Sequence, residues 1–73
     1  MTTDKRREAE VEVATSIRRL SAAAGYSPSF REVAEDTGLP LGTVHSVCVD
    51  LAEQGVLIYH PRIARSLRVK EDA

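Results

Sequence analysis

A chain of 73 residues, 42% hydrophobic and 29% charged, has the composition of one small globular domain; it is too short for a second core and too balanced for a disordered segment. Ten Lys and Arg against eleven Asp and Glu leave a formal net charge of -1, so any attraction to a polyanion must come from local patches rather than from the surface as a whole. The single cysteine, Cys48, excludes an internal disulfide and a cysteine-rich zinc site. No apolar run follows Lys5-Arg6-Arg7 and none reaches the roughly 18 residues of a membrane span, so neither a signal peptide nor a membrane anchor is expected.

The first element is a helix over about residues 4–24, with Val13, Ile17, Leu20 and Ala24 as its apolar stripe, Ala14 beside them and Gly25 ending it. Arg6 and Glu10 continue that azimuth, so the helix is expected to outrun the core and leave its opening turns solvated. Lys5, Arg6 and Arg7 sit at the positive end of the helix dipole. They read as a charged helix end balanced by Glu8, Glu10 and Glu12, in preference to a phosphate-binding turn. Val11, off the stripe, is the one hint of a self-contact.

After the loop Gly25-Tyr26-Ser27-Pro28, Ser29 and Glu32 form a capping box that opens a second helix over about residues 30–37. Phe30, Val33, Ala34 and Thr37 share its inner face. Gly38 supplies a turn, and Pro40 falls where a helix needs no N–H partner, so a third helix runs over about residues 41–54 and stops at Gly55. That helix buries Val44, Val47, Cys48 and Leu51 and turns Gly42, His45, Ser46 and Val49 outward. Val56-Leu57-Ile58-Tyr59 and Ser66-Leu67-Arg68-Val69 are β-rich and predict a hairpin over about residues 56–69, followed by a polar tail from Lys70. The fold class is therefore mainly α with a small β-hairpin: a winged helix-turn-helix of three helices and a two-stranded wing, with residues 1–73 as a single domain.

The stretch Gly25-Tyr26-Ser27-Pro28-Ser29-Phe30-Arg31-Glu32-Val33-Ala34 resembles the Gly-x-Pro-Pro-Ser/Thr-x-Arg-Glu-Ile segment in the N-terminal DNA-binding domain of LexA-type repressors. Thr43-Val44-His45 is similar to the start of that family's recognition helix, and Leu51-Ala52-Glu53-Gln54-Gly55-Val56-Leu57 to its end. The resemblance implies a double-stranded DNA partner, with Arg65 and Arg68 as wing arginines near the backbone. Two departures accompany it. The turn before the third helix is one residue shorter, so operator specificity does not carry over, and the chain has no length for the self-cleaving peptidase domain of those repressors. Ala24-Gly25, similar to the pair such proteins cleave, reads here as a helix end.

A helix in the major groove reads base edges from near its N-terminal end, which makes Gly42, Thr43, His45, Ser46 and Val49 the candidate DNA-reading residues. None is basic, while Asp50 and Glu53 would repel phosphates if the helix lay flat, so the helix is expected to enter end-on. Phosphate contacts then fall to Arg31 and to Arg62, Arg65 and Arg68 of the wing. Ile63 at the hairpin tip suits a minor groove or a protein partner equally. No cofactor or metal is expected. His45 and Cys48 lack a third ligand and Cys48 belongs to the buried stripe, and His60 has no catalytic partner, so the chain does not read as an enzyme.

The expected function is a sequence-specific double-stranded DNA-binding transcriptional regulator, a repressor by resemblance, bacterial and cytoplasmic on the nucleoid. Two copies on paired half-sites would enlarge the small interface of one domain. The alternative is a winged-helix protein-interaction module, an antirepressor or polymerase-associated factor, favoured by the acidic balance and by the absence of a basic residue on the outward face of the third helix.

Overall fold

The computed structural model describes residues 2–60 and 67–70, of which 2–4 through the backbone alone. Helix α1 spans Thr2–Ala24, α2 spans Phe30–Thr37 and α3 spans Leu41–Glu53; strands β1, Leu57–Ile58, and β2, Arg68–Val69, complete a winged helix-turn-helix. The connector carrying Arg62, Ile63 and Arg65 lies outside the described residues.

Local chemistry fixes the boundaries of α2. Glu32 N–H donates to Ser29 Oγ at 3.1 Å while Ser29 N–H donates to Glu32 Oε1 at 2.9 Å, so the capping box is complete. At the other end Gly38 takes φ 78°, a left-handed conformation that costs other residues a Cβ clash, and its N–H donates to Ala34 O at 2.8 Å. Thr37 Oγ1 donates to Val33 O at 2.8 Å and accepts from Leu39 N–H at 3.3 Å. One side chain thereby closes the last turn of α2 and holds the three-residue path Gly38-Leu39-Pro40 that aims α3.

The core is built from small and β-branched side chains. Val44, Val47, Cys48 and Leu51 of α3 are all buried, against Val33 of α2, Val13 and Ile17 of α1, and Leu57, Leu67 and Val69 of the wing. β1 and β2 pair antiparallel with Leu57 opposite Val69 and Ile58 opposite Arg68, and Lys70 N–H extends the ladder to Val56 O at 2.8 Å. Alternation then puts Leu67 and Val69 inward and Arg68 and Lys70 outward.

Two expectations about α1 are corrected. The stripe is shifted towards the N-terminus, since Ala9 is buried and Ala24 is exposed. The opening turns are not simply solvated either: Glu10 Oε2 accepts from Gln54 Nε2 at 3.4 Å, and Arg6 reaches Ser46 and Asp50. The azimuth of the stripe does continue through Arg6 and Glu10, but its partners there are polar residues of α3, so hydrophobic periodicity fades where the helix packing does not.

A second polar tie joins α1 to α2. Ser16, buried on α1, donates to Asp36 Oδ2 at 2.6 Å, and Arg19 pairs with the same oxygen. The Arg19 guanidinium first, and the Ser16 hydroxyl second, hold the Asp36 carboxyl below its ordinary range against a smaller opposing desolvation. A lowered folded-state pKa contributes stability that is present above the unfolded value of about 3.9 and lost as pH falls through the folded one. Thermal melts from pH 7 to pH 2 are therefore expected to show an acid limb below about pH 4 that is flattened in Asp36→Asn, with the variant less stable than the parent at neutral pH. Parallel pH profiles would refute the assignment.

Candidate nucleic-acid interface

Because α3 buries one stripe, its other residues face out, and the structure sorts the sequence candidates among them. Gly42, His45 and Ser46 are exposed, whereas Thr43 and Val49 are half-buried at the margins of that face. Pro40 is the N-cap of α3 and makes no side-chain capping hydrogen bond, and the first bond of the helix ladder is Val44 N–H to Pro40 O at 3.0 Å. The N–H groups of Leu41, Gly42 and Thr43 precede that bond and point out of the positive end of the helix, the arrangement in which backbone donors meet a phosphate. Arg31, exposed on α2, lines one groove with Leu39 and Leu41 and so stands beside this end.

His45 is exposed yet not loose. Its ring meets Phe30 edge-on at 5.0 Å between centroids and Tyr59 at 6.3 Å, and Phe30 meets Tyr59 at 5.2 Å. Phe30 opens α2, His45 lies in the first half of α3 and Tyr59 follows β1, so three elements are locked at one point. This trio sets the root of the wing relative to α3. The sequence places Phe30 on the inner face of α2 and Tyr59 in a β-rich run; that both meet His45 is a long-range fact without a local signal. Replacing Tyr59 by Leu keeps bulk and removes the ring edge, with an expected loss of about 1 kcal/mol in urea unfolding. A change within error would show that the trio is only adjacent packing.

Arg68 is exposed on β2, and Lys70, read from the sequence as part of a polar tail, stands two residues on with the same outward direction. Alternation through Leu67 and Val69 was the available signal for Lys70. Arg62 and Arg65 lie outside the described residues. Ser46 is already engaged, accepting from Arg6 Nη2 at 3.1 Å, and the same nitrogen pairs with the Asp50 carboxylate. The sequence reads Asp50 as an acid that would repel phosphates if the helix lay flat; in the structure that acid carries a cation from α1.

Cys48 faces away from all of this. It has no solvent exposure, and burial pushes its thiol up to about 12. A disulfide reagent at pH 8 should leave the folded protein unlabelled for as long as the domain stays closed and label it at once in denaturant. Rapid stoichiometric labelling without denaturant would contradict the buried position.

Three helices, a left-handed glycine turn and a paired wing define a winged helix-turn-helix of the DNA-binding, transcription-regulating kind. The model of the IclR helix-turn-helix domain matches residues 18–61, more than half of the chain, and the chain belongs to that family. No curated protein and no solved structure matches it. The resemblance to LexA-type repressors holds at the level of the winged helix-turn-helix, while the lineage shown is the IclR domain. No helix among the described residues is long and apolar enough to cross a membrane.

Proposed function

We propose that this domain, residues 1–73 acting as one unit in the cytoplasm, binds specific double-stranded DNA sites and represses transcription there. The observation that carries the reading is the uncapped N-terminal end of α3, with Gly42 and His45 exposed behind it and Arg31 beside it. Such an end presents backbone donors to a phosphate while its first outward side chains reach base edges. In this reading Gly42 allows close backbone approach, Thr43, His45 and Ser46 offer hydrogen-bonding groups, and Val49 meets a thymine methyl. Arg31 and Arg68, with Arg62 and Arg65 of the connector, hold the backbone and set the register. The repressor direction and a paired arrangement on two half-sites are supported by the LexA-type likeness of residues 25–34 and by the small area one such domain can cover.

A competing reading, a winged helix that docks on protein, is favoured by one observation: the outward face of α3 carries no Lys or Arg. Selection from a randomised duplex library, followed by anisotropy titration of the enriched site at several salt concentrations, separates the two. DNA binding predicts enrichment of a defined site and a log–log salt slope of about -3 to -4 for roughly four neutralised phosphates. Arg68→Ala should weaken binding to all duplexes alike and reduce the magnitude of that slope by about 0.9. No enrichment, with no response to Arg68→Ala or Arg65→Ala, would leave the protein-docking reading in possession.

A further inference from the structure

Arg6 lies 44 residues from Asp50 in the chain, yet its guanidinium closes on the Asp50 carboxylate and on Ser46 Oγ, both on α3. One turn further along α1, Glu10 meets Gln54. Ser46, Asp50 and Gln54 recur at every fourth residue, so Arg6 and Glu10 run along one polar edge of the reading helix. Both acceptors of Arg6 are held by Nη2. An arginine grips guanine or a phosphate bidentately through two neighbouring nitrogens, either Nη1 with Nη2 or Nε with Nη2. Nη2 belongs to both forks, so while Asp50 and Ser46 hold it neither fork is complete. The guanidinium and carboxylate cancel in charge, and their side chains remain 36% and 43% exposed, open to whatever docks on this face.

We propose that Arg6 is a positioning residue of the DNA-binding face: it masks Asp50, removing the carboxylate that approaching phosphates would otherwise meet, without itself reading bases. The inference rests on the DNA-binding reading above. It accounts for how a helix with an acid on its outer edge and no basic residue beside it can approach a polyanion, since the compensating charge is supplied by α1. An exposed pair of this kind adds little to folding, so its loss should register in binding rather than in stability.

The test is a double-mutant cycle of Arg6→Gln, Asp50→Asn and the pair, measured by anisotropy on a fixed duplex and on an unrelated one between low and moderate salt, with melts to confirm that all four proteins fold. Arg6→Gln unmasks Asp50 and is expected to weaken binding to both duplexes by about five- to tenfold at low salt. Asp50→Asn frees a cation, so binding tightens and the salt slope steepens by about 0.9. The double variant returns to within about twofold of the parent, because mask and masked charge are both gone. A double variant as weak as Arg6→Gln would overturn the proposal by showing that Arg6 contacts the DNA directly. A loss confined to one duplex would overturn it in favour of base reading. If the parent protein binds neither these duplexes nor any selected one, the DNA-binding reading itself fails and takes the proposal with it, an outcome that the parent arm reports alone.

Discussion

The constraint on which this domain depends is that α3 must serve two surfaces at once. Only a stripe of Val44, Val47, Cys48 and Leu51 is available to hold it, and each of these is buried. They are small or branched, so the helix lies close to α1 and α2 with few rotamer choices to fix. Everything that aims the helix acts on that seat: Gly38 sets the chain reversal, Thr37 satisfies the turn, and Leu57, Leu67 and Val69 bring the wing against the same core. A 73-residue chain has no spare apolar mass, and polar ties do the remaining alignment.

Those ties have different characters. The Ser16–Asp36–Arg19 group joins α1 to α2 through a hydroxyl that is itself buried, so it fixes one point of the helix crossing. The Arg6–Asp50 contact joins α1 to α3 at the surface, where solvent screens it and its main effect is on the field seen from outside. The Phe30–His45–Tyr59 trio is a third kind, a shape lock between the first turn of α2, α3 and the wing root. Together they fix the outward face of α3, which carries no Lys or Arg, relative to α1, α2 and the root of the wing.

Legibility in the sequence followed interaction range. The capping box at Ser29 and Glu32, the glycine turn and the buried stripe of α3 are each written in residues whose successive members lie within four positions, the range of one helical turn. The opening turns of α1 were misread because the stripe there changes from apolar to polar while still facing a neighbour; only the packed structure says which neighbour. Arg6 beside Asp50 and Phe30 beside His45 are contacts between segments far apart in the chain, and no local spacing announces them. The likeness to LexA-type repressors has a related cause. The residues that carry it are a loop, a cap and the first turn of a helix, whose identities are set by the geometry any helix-turn-helix must solve, so they report the fold more faithfully than the lineage.

The division of α3 also bears on how such a domain can diversify. Gly42 is turned away from the core, and a Cβ added there meets nothing within 4 Å, so inheritance can rewrite that position with little effect on folding, whereas His45 is held by the rings of Phe30 and Tyr59. Ser46 and Asp50 are not free in the same way: each is tied to Arg6, and a change at Asp50 leaves the guanidinium without its counterpart until α1 changes too. Drift in what the domain recognises should thus be quick at the tip of the helix and slow along its edge, where two distant codons must move together.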